Sequence, residues 1–261
     1  LDDVMIEVRN IIKRFGEQEV LKGISAEFKQ GKMNLIIGKS GSGKTVLIKC
    51  IVGLMIPSEG EILYDGRDFT KMSVKEKKEL RTEIGMLFQG NALFDSLTVE
   101  ENIRFPLDMF TKKSMEEKTD RVNEVLNRVN LQGANLKYPS QLSGGMQKRT
   151  GLARAIVMNP KYLFCDEPNS GLDPKTSIVI DELINEITEE NNITTIMNTH
   201  DMNSVIGSGD NILFLHQGER WWEGNNISLF ESTNEELDSF IFASEFLKEA
   251  KTARLIKNQN K

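Results

Sequence analysis

The segment GKSGSGKT, residues 38–45, has the spacing of a phosphate-binding loop. It matches the pattern GxxxxGK[ST], follows the apolar run MNLII directly and precedes the helical pattern VLIKCIVGL. Glycines let backbone N–H groups turn inward around phosphate oxygens, and the following helix adds the positive end of its dipole. We predict that Lys44 reaches the β- and γ-phosphates and that the Thr45 hydroxyl binds Mg²⁺. The other predicted nucleotide contacts of this loop are Gly38, Ser40, Gly41, Ser42 and Gly43.

Two adjacent acids, Asp166 and Glu167, follow the apolar segment YLFC. Four apolar residues favour a buried strand that delivers both carboxylates to its end. Asp166 is predicted to ligate Mg²⁺ through its hydration shell. Glu167 is the candidate general base that polarises the attacking water, a role worth about 10²–10⁴-fold in rate. Adjacent acids at a strand end can also form a solvated turn, but the phosphate-binding loop upstream favours the catalytic interpretation.

The segment LSGGMQ indicates a second phosphate-binding end. Ser143, Gly144 and Gly145 stand at a predicted helix start, where exposed backbone and the helix dipole favour an anion. One nucleotide needs one phosphate-binding loop, so a second such end implies a second nucleotide contact. The segment is similar to the signature motif of ATP-binding cassette (ABC) ATPases. The resemblance extends from Phe15 to about Gly224, with the motifs in the family's order.

The resemblance implies a homodimer and several further roles. In this family two copies meet head to tail, and the signature of one closes over the γ-phosphate held by the other. Gln89 resembles the Q-loop glutamine that senses Mg²⁺ and the attacking water. Asp173, in SGLD, resembles part of the D-loop that reports on the opposite site, and His200 resembles the switch histidine that contacts the γ-phosphate and orients Glu167. Phe15 resembles the aromatic residue that stacks on adenine, with an ordinary strand side chain as the alternative.

The segment FQGNALFDSLTVEEN combines the Q-loop glutamine with bulky apolar residues. By resemblance, residues 89–102 line a groove for a cytosolic helix of an integral membrane permease, to which Leu93, Phe94 and Leu97 present apolar surface. Alternatively, these residues only pack the helical subdomain. The sequences of this loop and of SGGMQKR resemble those of the ATPase subunits of Mla and Mce-type systems. Those complexes pair two ATPases with two permease subunits and a periplasmic lipid-binding ring, and they move phospholipid between bacterial membranes.

Composition limits the remaining possibilities. The chain has 33 basic and 39 acidic residues, and a net charge of −6 argues against general nucleic-acid binding. No apolar run approaches the ~20 residues that cross a bilayer, and the amino terminus lacks the pattern of a signal peptide. These features lead us to expect a protein that is cytosolic or that sits on the cytosolic face of another component. The resemblance implies a peripheral protein at the cytoplasmic face of the bacterial inner membrane. Another cargo (a lipoprotein, an amino acid or another solute) and a non-transport ABC ATPase of the iron–sulfur assembly type remain alternatives.

The elements that must position these residues follow from hydrophobic periodicity. Apolar runs at MNLIIG, EIGMLFQ, YLFCDE and TTIMNTH favour buried strands of a parallel sheet between helices. The alternating opening of the chain predicts an N-terminal antiparallel β subdomain. A helical period over about 98–160 predicts an inserted helical subdomain, and NILFLHQGERWWEG predicts a hairpin turning at Gln217-Gly218. The predicted class is α/β, a P-loop NTPase with the ABC ATPase fold.

The predicted domain boundary lies near residue 234. Residues 1–234 form the ABC ATPase domain, and residues 235–261 form a terminal helix over Leu237 to Leu247 followed by a basic, frayed tail. By resemblance, this C-terminal segment helps to join two ATPases.

Overall fold

Two β-sheets and the helices packed on them make up the structure, a computed structural model that describes residues 3–259. In chain order the strands are β1 Val4–Phe15, β2 Gln18–Lys29, β3 Met33–Ile37, β4 Glu59–Tyr64, β5 Arg67–Asp68, β6 Ile84–Leu87, β7 Tyr162–Asp166, β8 Thr194–Asn198, β9 Asn211–His216 and β10 Glu219–Gly224. The helices are α1 Lys44–Val52, α2 Val74–Thr82, α3 Val99–Phe110, α4 Met115–Arg128, α5 Gly144–Ile156, α6 Pro174–Glu190, α7 Met202–Ser208, α8 Ser228–Glu231, α9 Glu235–Ile241 and α10 Glu245–Gln259.

The larger sheet has the strand order β10-β9-β3-β8-β7-β6. Strands β9, β3, β8, β7 and β6 run parallel, and only β10 is antiparallel to its neighbour. Every residue of β3, β7 and β8 is buried, because apolar side chains on both faces are covered. The predicted parallel core is therefore confirmed. Since parallel strands end at one edge of a sheet, the segments that follow β3, β6, β7 and β8 meet there.

The predicted N-terminal antiparallel sheet and the hairpin are also present. The smaller sheet has the order β2-β1-β4-β5, and its inner face packs with α1 around buried residues such as Ile6, Leu21 and Tyr64. The β9–β10 hairpin turns at Gln217 (φ 49°) and Gly218 (φ 82°). Two consecutive positive φ values produce the tight turn whose twist suits a hairpin.

Helices α3, α4 and α5 come between β6 and β7 in the chain. Thr98 and Ser114 begin α3 and α4 through capping boxes with Glu101 and Glu117. The apolar face of α4 is buried in the core through residues that include Val122. Within the described part of the chain, no helix is both long enough and apolar enough to cross a bilayer.

The C-terminal helix differs from the prediction. It is divided into α9 and α10, and α10 continues to Gln259 where the sequence predicts a frayed tail; residues 260 and 261 lie outside the described residues. The reason is contact between segments that composition does not reveal. Lys251 Nζ donates to both carboxylate oxygens of Asp238 at 2.7 and 2.6 Å, and the Arg254 guanidinium lies 4.4 Å from the Phe230 ring centroid.

Candidate active site

The loop between β3 and α1 can be formed only with glycine at two positions. Gly38 has φ 149° and Gly43 has φ 103°, a region that side chains rarely adopt. A Cβ at Gly38 would lie 2.3 Å from the Leu215 carbonyl oxygen, and one at Gly43 would lie 2.7 Å from Leu21 Cδ2. The loop therefore packs its backbone against β9 and β2, and it opens above the first turn of α1.

Lys44 lies inside this loop and is only 6% exposed. Its Nζ donates to the carbonyl oxygens of Gly38 (2.8 Å) and Lys39 (3.2 Å). Burial lowers the pKa of Lys44, and the carboxylates of Glu167 and Asp166 oppose that shift. No carboxylate lies within 4.0 Å of Nζ among the described residues. A buried ammonium group without a direct anionic partner is suited to bind phosphate.

The other loop residues fit the same ligand. Ser40 and Gly41 are exposed at the tip of the loop, whereas Ser42 is buried. The Ser42 Oγ has no hydrogen-bond partner among residues 3–259. Buried hydroxyl groups are normally hydrogen-bonded, so a phosphate oxygen within the loop would satisfy it.

A corner at the ends of β7 and β8, which we call the metal corner, brings together Thr45 and Asp166, two of the three predicted metal ligands. The third, Gln89, donates to Glu167 instead. Thr45 Oγ1 donates to Asp166 Oδ1 at 3.3 Å. Asn198 Nδ2 donates to the same oxygen at 2.6 Å, and it lies 3.3 Å from Thr45 Oγ1. A hydroxyl oxygen and a carboxylate oxygen are hard ligands of the kind that Mg²⁺ prefers, so the donor set fits this ion.

The sequence analysis missed Asn198, which is 0% exposed. Besides its contacts with the metal corner, its Oδ1 accepts a hydrogen bond from the Glu167 backbone N–H at 2.7 Å. Glu167 has φ 47°, so this bond holds an uncommon backbone conformation immediately after β7. The available signal was an amide at the end of the segment TTIMN, two residues before His200.

The predicted catalytic residues meet around the side chain of Glu167. Gln89 Nε2 donates to Glu167 Oε2 at 2.8 Å, and His200 Nδ1 lies 3.5 Å from Glu167 Oε1. The Glu167 side chain is 18% exposed and that of His200 is 62% exposed. The Glu167 carboxylate thus lies between the Gln89 amide and the His200 imidazole, at the solvent-accessible side of the site, which we call the open edge. The metal corner lies on the buried side.

The signature residues lie beside the D-loop of the same chain. Ser143 is the N-cap of α5 and is exposed together with Gly144. A Cβ at Gly145 would lie 2.7 Å from Thr176 Cγ2, and the backbone N–H of Thr176 donates to Asp173 at 3.0 Å. The hydrogen bonds with Thr176 lower the pKa of Asp173. Among the described residues, no hydrogen bond joins Ser143–Gly145 to the phosphate-binding loop.

Phe15 stands at the β1–β2 turn with its ring 46% exposed. Lys13 Nζ lies over the ring, 5.1 Å from its centroid. Strand β2 returns from this turn along the phosphate-binding loop, because a Cβ at Gly43 would lie 3.3 Å from the Val20 carbonyl oxygen.

An apolar groove of about 420 Å³ adjoins the segment that follows Gln89. The rings of Phe94 and Phe105, 4.9 Å apart, form part of its wall. Leu93 and Leu97 are half-buried and do not line the groove. Helix α3 begins at Val99, so the end of the predicted 89–102 loop is helical.

The chain matches the family model described as ABC transporter over residues 21–170. It is 41% identical over 209 residues to the "Probable ribonucleotide transport ATP-binding protein mkl" of Mycobacterium leprae, covering 80% of this chain and 60% of that protein. The chain thus spans less than two thirds of this relative's length. It is 35% identical over 258 residues to "Protein TRIGALACTOSYLDIACYLGLYCEROL 3, chloroplastic" of Arabidopsis thaliana, covering 93% of this chain and 74% of that protein.

A solved structure has the same fold over nearly all of its length. The dimeric post-hydrolysis state of the ATP-binding cassette MJ0796, bound to ADP and Pi, matches this chain with a TM-score of 0.77 and 34% identity. The match covers 85% of this chain and 99% of that chain.

Proposed function

Because this chain belongs to the ABC transporter family, we propose that it is the ATP-binding and ATP-hydrolysing subunit of a bacterial transporter that moves phospholipid between membranes. The meeting of Gln89 and His200 at the Glu167 carboxylate, beside Thr45 and Asp166, carries the proposal of hydrolysis. A similar cassette bound to ADP and Pi supports it.

Nucleotide binding begins at the phosphate-binding loop. Lys44 exchanges its bonds to loop carbonyls for bonds to phosphate oxygens, and the backbone N–H groups of residues 38–45 donate to the same anion. Phe15 offers an exposed ring on which adenine stacks. Thr45, Asp166 and Gln89 would hold Mg²⁺, which when bound supplies positive charge to the phosphates.

Hydrolysis then depends on the open edge of the site. Glu167 accepts a proton from water while the water oxygen forms a bond to the γ-phosphorus and the bond to the bridging oxygen of ADP breaks. Gln89 and His200 flank the two carboxylate oxygens and so orient Glu167 toward the attacking water. The buried Asn198 holds the backbone of Glu167 throughout.

A homodimer completes the site. Ser143, Gly144 and Gly145 begin α5 in an accessible position and make no hydrogen bond to their own phosphate-binding loop among the described residues. In a head-to-tail pair this helix start would close over the γ-phosphate of the partner copy. Asp173, which lies beside it, would then face the same interface. The segment 235–261 would help to join the two copies.

An integral membrane permease is the second proposed partner, contacted through residues 89–102. The apolar groove beside Phe94 has the character of a surface that receives an amphipathic helix. Such contact would place the chain at the cytoplasmic face of the inner membrane. The same complex would include a periplasmic lipid-binding Mce-type component, which this chain reaches only indirectly, and we propose no nucleic-acid partner. Lipid cargo is supported by the Arabidopsis relative, which is named after a glycerolipid, trigalactosyldiacylglycerol.

A second candidate is the same ATPase with another cargo. It is favoured by the 41% identity to the mycobacterial protein named as a probable ribonucleotide transport ATP-binding protein. The two candidates share every step at the nucleotide site and differ only in the permease and its cargo.

Capture of the tagged chain from detergent-solubilised membranes of its own host tests both parts of the proposal. Phe94→Asp should abolish recovery of a multispanning permease, because a charge would enter the apolar groove. Val74→Asp is the matched control, since Val74 is 87% exposed at the start of α2. Phospholipid enriched with the captured complex supports lipid cargo, whereas enriched ribonucleotide overturns it. A captured complex without ATPase activity would overturn the assignment as an energy-supplying subunit.

A further inference from the structure

One face of α5 is hydrogen-bonded to the segment that follows β6. Lys148, Gly151 and Arg154 are spaced i, i+3 and i+6, so they lie along the same side of the helix. Both cations of this face donate to backbone carbonyl groups of residues 89–92. Helix α5 is the helix that begins at the signature motif, whereas residues 89–92 begin at the Q-loop glutamine.

Lys148 is a charged residue that the proposed chemistry leaves without a role. It is 2% exposed, and no carboxylate lies within 4.0 Å of its Nζ in the described part of the chain. Among residues 3–259, its side chain makes one hydrogen bond, from Nζ to the Gln89 carbonyl oxygen at 2.5 Å. Burial lowers the pKa of Lys148, against the attraction of the Asp166 and Glu167 carboxylates. Burying an ammonium group is costly, so its position depends strongly on this single acceptor.

Arg154 holds the other end of the same segment. Its guanidinium donates to the carbonyl oxygens of Asn91 and Ala92, both at 2.7 Å. These two residues have φ values of 61° and 49°, a left-handed conformation that is unfavourable for a side chain such as alanine. The guanidinium carbon also lies 6.0 Å from the centroid of the Phe94 ring in the groove. The strained turn at Asn91 and Ala92 is thus held by hydrogen bonds from the Arg154 guanidinium of α5.

Gly151 permits this close approach. A Cβ at Gly151 would lie 2.9 Å from Leu87 Cδ1 and 3.7 Å from the Asn91 carbonyl oxygen. Without a side chain there, α5 lies close enough to the end of β6 for Lys148 and Arg154 to reach the backbone on either side.

Gln89 is consequently bound at two points. Lys148 donates to its carbonyl, and its own side-chain amide donates to Glu167. We propose that Lys148 is a positioning residue that holds Gln89 against Glu167 and, with Arg154, makes residues 89–92 move with α5. The inference rests on the proposed roles of Gln89 and Glu167.

Lys148→Met tests this role, because methionine keeps a long apolar side chain and removes the donor and the charge. We expect kcat for ATP hydrolysis to fall about tenfold while the Kd of a fluorescent ADP analogue stays within about twofold. Amide hydrogen exchange should accelerate in residues 89–94 and not in the parallel strands. Lys148→Arg, which keeps a donor, should restore part of the rate. Lys78→Met, at an exposed position of α2, is the matched control and should change none of these quantities.

A double-mutant cycle separates positioning from packing. In a Gln89→Ala background, Lys148→Met should lower kcat no further if Lys148 acts through Gln89. Additive losses of rate, or a rate equal to that of the wild type in Lys148→Met, would overturn the inference. Should Lys148→Met fail to fold, Lys148→Gln removes the charge and leaves a shorter, neutral donor. Its kcat should fall less than that of Lys148→Met, and this fall should also disappear in the Gln89→Ala background. Wild-type protein that does not hydrolyse ATP would overturn the proposed function instead, whereas Glu167-dependent hydrolysis with an inert Lys148 would overturn only the positioning role.

Discussion

The two sides of the candidate active site are built in different ways. Asp166 is 5% exposed and Asn198 is 0% exposed, and both belong to strands that are buried along their whole length. On the other side, the His200 side chain is 62% exposed and lies 3.5 Å from the Glu167 carboxylate. The buried side takes its geometry from the core of the chain. The exposed side stands on connecting segments, so nucleotide or a partner copy can change it.

Glu167 connects the two sides. Its backbone N–H is bonded to Asn198 in the core, whereas its carboxylate reaches Gln89 and His200 at the open edge. Substitutions at the buried side should therefore change both the unfolding free energy and the nucleotide affinity. Substitutions at the open edge should change only the rate of ATP hydrolysis.

Glu167→Gln should produce the largest effect. The amide keeps the size of the side chain but cannot accept a proton from water, so kcat should fall by about 10²-fold or more. Nucleotide affinity and the unfolding midpoint should change little, because the carboxylate is not buried in the core. Phosphate release measures the rate, and size-exclusion chromatography in excess ATP should reveal an accumulated dimer. A variant that retains wild-type turnover would exclude Glu167 as the base.

Asn198→Val should have the next largest effect, and it should appear in stability. Valine suits a buried strand, but it removes the donor to Asp166 and the acceptor for the Glu167 backbone N–H. A buried charged group that loses its hydrogen bond should cost about 2 kcal/mol of unfolding free energy. Urea unfolding measures this loss, and titration with an ADP analogue should show weaker binding in the presence of Mg²⁺. Unchanged stability would contradict the view that the core fixes this side.

The residues that the sequence identified without a family resemblance are those whose role is local. The spacing of GKSGSGKT and the acids after YLFC reveal a phosphate-binding loop and a strand end without knowledge of the fold. Asn198 and Lys148 were missed for a different reason. Asn198 acquires its partners only because β8 lies between β3 and β7, and Lys148 acquires its partner only because α5 packs against the end of β6. Strand order and helix docking are properties of the whole chain.

The C-terminal segment illustrates the same limit. A basic composition after Leu247 predicts fraying, since repelling cations weaken an isolated helix. In the structure, Lys251 reaches Asp238 across the break between α9 and α10, so one of these charges becomes a tertiary contact. No pattern within the segment itself indicates that partner.

His200→Ala should have the smallest of the three effects, and it tests most directly whether the open edge is independent of the folded core. The side chain is largely exposed and its only described ionic contact is with Glu167, so unfolding free energy should change by less than about 0.5 kcal/mol. Hydrolysis should nevertheless slow about tenfold, equivalent to roughly 1.4 kcal/mol of transition-state stabilisation, because Glu167 loses a neighbour that orients it. Paired unfolding and turnover measurements on this variant and Asn198→Val provide the test. If both variants lost stability equally, the open edge would be as much a part of the folded core as the metal corner, and the distinction between the two sides would be wrong.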